Sequence, residues 1–172
     1  MQYALVGHSE RRHIFHDSDK DIRAKVQAAI RNHIKPILCI GETAIERADG
    51  ETLDVIHDQL LGGLANITSE ELEHVVIAYE PVWSIGTGNN ALPKDVIPVA
   101  RAVRSQIKHL YGQESADGIQ VIYGASVSPD NAVAYFEIPE IDGVLVGGAS
   151  LDAHAFSEII KKAHKATSAA KE

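Results

Sequence analysis

The sequence predicts an α/β domain built from parallel βα units. Three observations carry that prediction. Five short apolar runs recur along the chain, rich in Val, Ile, Leu and Tyr. Each is followed by a segment with helical periodicity, the alternation that makes parallel βα units. The runs are nearly continuous in apolar character, as expected of strands covered on both faces.

Taken in order, Tyr3–Val6 is the first strand, with a helix at about Asp19–Asn32. Pro36–Ile40 precedes a helix within Leu53–Ala65, and His74–Tyr79 precedes Lys94–Tyr111. In that helix Val96, Val99, Ala100, Val103 and Ile107 share one face. Ile119–Tyr123 leads to a short helix near Asn131–Phe136, and Gly143–Val146 leads to a terminal helix near Ala153–Ala166. The tail after His164 reads as frayed. No linker or low-complexity stretch divides the chain, so 1–172 is expected to be a single domain. Only Met1 and Gln2 precede the first strand. An open sheet of five strands leaves two edges, so a missing N-terminal part is expected.

Composition excludes several classes. The 172 residues are 45% hydrophobic and 23% charged, which fits a globular domain with a sizeable core. No run reaches the apolar length of a membrane span, and nothing at the N-terminus resembles an export signal. One cysteine, Cys39, rules out an internal disulfide and fits the cytoplasm. The net charge of −8, without a basic patch interleaved with aromatics, argues against nucleic-acid binding. An anionic small molecule would need a local electropositive site. Nucleotide-binding glycine fingerprints are absent. His13 and His16 lack a third ligand in sequence, so no metal site is expected. Cys39, inside an apolar strand end, reads as a buried small residue rather than a nucleophile.

The chemistry collects after the strands. Ala78–Gly88 reads AYEPVWSIGTG. Pro81 cannot donate to a ladder, so the third strand must end at Glu80. Trp83, Gly86 and Gly88 then compose a lid with flexible ends. A carboxylate beneath a lid that excludes water points to proton transfer, with Glu80 as general base. A surface glutamate before an ordinary turn is the alternative. His8, after the first strand and before a helical turn, reads as an uncharged electrophile or as a solvated loop histidine. Glu10 with Arg11 and Arg12 forms either a site network or a surface ion pair worth about 0–1 kcal/mol. Ser126 after Tyr123-Gly124-Ala125, and Gly147-Gly148 after Val146, compose a phosphate cradle or two plain βα turns.

With these motifs in view the chain resembles the triosephosphate isomerase family. GHSERR at 7–12, CIGET at 39–43, AYEPVWSIGTG at 78–88 and DGVLVGGASL at 142–151 match it in order and spacing. The resemblance runs from Tyr3 to about Ala163. It implies the five C-terminal βα units of a (β/α)8 TIM barrel, entered at the fourth unit, so that 1–172 is one incomplete barrel domain. It implies interconversion of dihydroxyacetone phosphate and glyceraldehyde 3-phosphate, in glycolysis and gluconeogenesis, without a cofactor. By that resemblance Glu80 would shuttle the proton and neutral His8 would polarise the carbonyl, a pair for which this family is itself the standard example of matched base and electrophile. By the same resemblance Gly86, Ser126, Gly147 and Gly148 present N–H groups to the substrate phosphate. Ser9 would contact Glu80 with the lid open, Glu10 would anchor the catalytic lysine, and Tyr123 would help hold the lid closed. Pro81–Gly88 would be the closing loop, which in this family is itself a standard case of lid closure. The complete family member is expected to be a homodimer acting on a small phosphorylated triose, with no nucleic-acid or membrane partner.

Two departures modify those expectations. The strand carrying the family's substrate-binding Asn and Lys has no counterpart, and neither does the main dimer loop. No lysine stands in: Lys20, Lys25, Lys94, Lys108, Lys161 and Lys162 fall in helical segments, and Lys35 precedes its strand. Loss of such a cation should cost about 3–4 kcal/mol or more of transition-state stabilisation. The chain alone is therefore expected to be impaired or inactive, poorly stable, or reduced to a phosphate-ligand-binding fragment. Second, Ala125 stands where a glycine is usual, which would hinder a turn that rearranges on ligand binding by about 1 kcal/mol. Asp17, where glutamate is common, is expected to keep a buried charge pair.

Overall fold

The computed structural model describes residues 1–169. Five parallel strands form one sheet in sequence order: β1 (Tyr3–Val6), β2 (Lys35–Ile40), β3 (Val76–Tyr79), β4 (Gln120–Tyr123) and β5 (Gly143–Val144). The helices are α1 (Ser9–His13), α2 (Asp19–Arg31), α3 (Ala44–Ala48), α4 (Thr52–Leu64), α5 (Ser69–Leu72), α6 (Pro93–Tyr111), α7 (Gln113–Gly118), α8 (Ala132–Phe136) and α9 (Ala153–Ala169). Single 3₁₀ turns occupy Val82–Ser84 and Gly148–Leu151. Strands in sequence order joined by helices make a partial α/β barrel.

Local chemistry sets the helix starts. Ser18, Thr43 and Thr68 each accept from the backbone N–H three residues on, and Asp21, Glu46 and Glu71 return the bond to the cap. These reciprocal caps satisfy two otherwise orphaned donors each. Pro93 opens α6, where a missing N–H costs nothing, and Gly112 closes it at φ 95°.

The register separates two faces. Val6, Leu38, Ile40, Ile77, Tyr79, Val121 and Tyr123 point to the helices and form the core with Val26, Leu60, Val99 and Val103. The other face carries Leu5, Ile37, Cys39, Ala78 and Ile122. Strands β1 and β5 each pair on one side only, and Leu5 on that face is 51% exposed.

Several boundaries differ from those expected. β3 begins at Val76 because the N–H groups of His74 and Val75 turn back to Glu71 and Leu72. β4 begins at Gln120 because Ile119 N–H closes α7 on Ser115. β5 is two residues rather than four, although Leu145 N–H still bonds Tyr123 O at 2.7 Å. The expected fraying after His164 is corrected: α9 continues to Ala169, and 170–172 lie outside the described residues. The short helices α1, α3, α5 and α7 had no counterpart in the periodicity, because four to six residues cannot display it.

Candidate active site

Glu80 follows β3 directly and is 4% exposed. Pro81 ends the ladder on one side, and Glu80 N–H donates to Ile40 O at 2.7 Å on the other. Gly41 makes that approach possible, since a Cβ there would lie 1.9 Å from Glu80 O. Ser9 N–H donates to Glu80 Oε2 at 3.4 Å, and His8 Nε2 lies 3.6 Å from Oε1. Burial raises the pKa of Glu80. His8, the Ser9 N–H, the Cys39 thiol and the Arg12 guanidinium oppose that rise. The result is a carboxylate made more basic than an exposed one. Cys39 beneath it is buried, and burial followed by the Glu80 charge pushes its thiol well up, which leaves it inert.

His8 caps α1, and its Nδ1 accepts from Glu10 N–H at 3.4 Å. A ring nitrogen that accepts carries no proton, so in the neutral ring the hydrogen sits on Nε2, the nitrogen beside Glu80. Glu10 itself is exposed.

A cleft of about 570 Å³ opens over this pair, and His8, Glu80, Gly86, Ser126, Gly147 and Gly148 all line it. Gly86 has φ 70°, which favours glycine. Gly147 and Gly148 begin a 3₁₀ turn, whose first N–H groups have no partner within the turn. A Cβ at Gly86, Gly147 or Gly148 would meet nothing within 4 Å, so their backbones face open space. Ser126 Oγ donates to Ser84 O at 2.7 Å, which ties the cradle to the lid. Asn131 holds the Ser126 loop from behind, donating to Ser126 O at 2.7 Å and accepting from Ser128 N–H at 2.8 Å. Ala125 does not have a positive φ, so its side chain is unstrained here.

Ser9 and Tyr123 stand outside the cleft wall. Tyr123 is fully buried and stacked on Tyr135 at 4.2 Å, and among the described residues its hydroxyl has no hydrogen-bond partner. The tyrosine bonded near the lid here is Tyr135, whose hydroxyl donates to Ala91 O at 2.8 Å. Arg11 and Lys25 both pair with Asp17, whose side chain is 9% exposed. The Arg11 and Lys25 hydrogen bonds hold its carboxyl down to about 2. Among the described residues no three His, Cys, Asp or Glu side chains converge as a metal site, and no helix is long and apolar enough to cross a membrane.

Sequence reasoning missed the lid's anchor. Glu42 is fully buried and accepts from Tyr79 OH at 3.1 Å, Trp83 Nε1 at 2.9 Å and Arg47 Nη1 at 3.2 Å. Arg47 also covers the Trp83 ring at 4.4 Å and bonds Asp95 at 2.6 Å. A glutamate just past an apolar strand, five residues before an arginine that ends up beside it, was the available signal.

The sequence model of the triosephosphate isomerase family matches residues 1–163. This chain belongs to the triosephosphate isomerase family. It is 45% identical over 160 residues to the triosephosphate isomerase of Caldanaerobacter subterraneus subsp. tengcongensis, covering 93% of this chain and 64% of the relative. It is 48% identical over 165 residues to that of Symbiobacterium thermophilum, covering 96% and 64%. With that of Solibacter usitatus it shares 43% over 160 residues, covering 93% and 64%. The chain thus spans 64% of the length of these curated relatives.

Proposed function

We propose that the cleft is a triosephosphate isomerase site, interconverting dihydroxyacetone phosphate and glyceraldehyde 3-phosphate. The single observation carrying this reading is the Glu80–His8 pair, 3.6 Å apart at the floor of a cleft whose far wall is the Gly86, Ser126, Gly147 and Gly148 backbone. The phosphate sits against those N–H groups, which places the carbonyl end over the floor. Glu80 removes a proton from the carbon beside the carbonyl. His8 Nε2–H donates to the oxygen on which charge develops, giving an enediol. Glu80 returns the proton to the neighbouring carbon while His8 Nε2 recovers a proton from the other enediol hydroxyl, so the protons balance and no redox partner or cofactor enters. The lid Pro81–Gly88 excludes water meanwhile, so that the enediol is not lost to side reactions. The reading includes a cytoplasmic setting in central sugar metabolism and, for the whole protein, assembly as a homodimer.

One observation favours a second reading, that of a phosphate-ligand-binding fragment. Among the described residues, no lysine or arginine lines the cleft. A cradle that holds phosphate without a cation at the reacting oxygen binds better than it catalyses. Turnover of glyceraldehyde 3-phosphate separates the two, with Glu80→Gln as control. Isomerisation lost in the variant supports the first reading. Phosphate-dependent stabilisation without turnover, in the chain alone and in the chain supplied with the remainder of a relative, supports the second.

A further inference from the structure

Arg12 is a nine-tenths buried cation behind the catalytic pair. Its side chain is 10% exposed, and it does not line the cleft. Its Nε donates to Gly7 O at 2.9 Å and its Nη2 to Cys39 O at 3.2 Å, so one guanidinium bridges the C-terminal ends of β1 and β2. Its Nη1 pairs with Asp19 at 3.0 Å, at the start of α2. Gly7, at φ 74°, leaves room for it: a Cβ there would lie 3.1 Å from Nη2. Asp19 is in turn packed where a Cβ on Gly62 of α4 would come within 3.0 Å. The guanidinium is therefore held from three directions.

We propose that Arg12 is a positioning residue for the Glu80–His8 pair, fixing the β1 end that carries His8 against the β2 end that carries Glu80's neighbour in register. The proposal rests on the isomerase reading for its purpose, not for its geometry. Gly7 directly precedes His8, and Ile40, next to Cys39, accepts Glu80 N–H. Moving either end therefore changes the 3.6 Å separation of the pair. A lysine cannot replace the bridge, because a single ammonium lacks the planar fork that reaches two carbonyls at once.

The same guanidinium acts on Glu80 through its charge. Both residues border a void of about 10 Å³, together with Ser9, Cys39 and Gly41. That is at the lower limit for one water, so little screening intervenes. The groups facing Glu80 are His8, the Ser9 N–H and Arg12 from the β1–α1 side and Cys39 from β2. Gly124 and Leu145, near it from β4 and β5, carry no charge. Arg12 is among the groups that favour ionised Glu80.

The test needs no turnover. The Glu80 carboxyl is titrated by ¹³C NMR in the full chain, and the His8–Glu80 contact is read as a nuclear Overhauser cross-peak. Arg12→Met should raise the Glu80 midpoint and weaken the cross-peak. Arg12→Lys keeps a charge without the fork, so the midpoint should stay near that of the unsubstituted chain while the cross-peak still weakens. If Arg12→Met does not fold, the Lys variant alone decides the positioning role. Unchanged midpoint and cross-peak in Arg12→Met, or an undiminished cross-peak in Arg12→Lys, would overturn the proposal. Failure of the isomerase reading shows separately, as absent turnover with the NMR result intact. Where turnover is measured, Arg12→Lys should lower kcat about 10–100-fold with KM little changed.

Discussion

The indole N–H of Trp83 donates to the carboxylate of Glu42 at 2.9 Å, across 41 residues of chain. The bond joins the first turn after Glu80 to the end of β2. Val82 N–H donates to Glu42 O at 3.0 Å beside it, so both the backbone and the side chain of Glu42 hold the lid's base. The lid's flexible part, around Gly86 and Gly88 at φ 70° and 75°, therefore moves against a fixed root.

Glu42→Ala should destabilise the chain by about 2–3 kcal/mol, because charge-assisted bonds are lost and buried donors are stranded. Arg47, whose side chain is 32% exposed, can turn to water, which limits the loss. Denaturant unfolding measures it. Trp83 is the only tryptophan, so a red shift of its emission would report the lid root opening in the folded state.

Ser126→Ala removes the 2.7 Å bond to Ser84 O. The expected cost is about 1 kcal/mol of lid and cradle alignment, or roughly fivefold weaker binding of dihydroxyacetone phosphate. Titration of Trp83 emission with that ligand reads it. Unchanged affinity would mean that Ser126 serves only the loop.

Glu80→Gln should cost function and gain stability. Turnover should fall about 10²–10⁴-fold for loss of a general base. Burial raises the folded-state pKa of Glu80 above its ordinary 4.5. Between the two values the folded chain binds more protons than the unfolded chain, so stability falls as pH rises through that window. The glutamine variant lacks this loss. Its melting temperature should exceed that of the unsubstituted chain at pH 8, with the difference shrinking toward pH 4.

Asp17 has the opposite sign. Hydrogen bonds from Arg11 and Lys25 lower its pKa from 3.8 to about 2. Here the unfolded chain binds more protons, so the stabilisation is present above 3.8 and lost as pH falls through about 2. Asp17→Asn should flatten the acid limb of stability in that window. Acid titration followed by circular dichroism checks it.

Much of this arrangement was legible from local sequence. Glu80 could be read because an apolar run and Pro81 together fix where a strand stops. Gly147 and Gly148 could be read because small residues at the start of a helical turn leave backbone N–H groups free, whereas Gly86 read locally only as a lid hinge. Glu42 could not, since Tyr79, Trp83 and Arg47 reach it from three separate segments. Arg12 offered only a choice between network and surface pair, because its partners Gly7 O and Cys39 O are carbonyls, invisible to residue type. Gly41 was equally silent: its need for no side chain comes from the carbonyl of Glu80, brought close only by the β2–β3 register.

The central claim is that Glu80 is the base of an isomerase site. The most direct measurement is isomerisation of glyceraldehyde 3-phosphate by this chain, alone and mixed with a polypeptide supplying the rest of a relative's length, each with Glu80→Gln in parallel. The account predicts turnover, strongest in the mixture, that the glutamine variant lowers about 10²–10⁴-fold. Turnover that survives Glu80→Gln, or none under either condition, would contradict it.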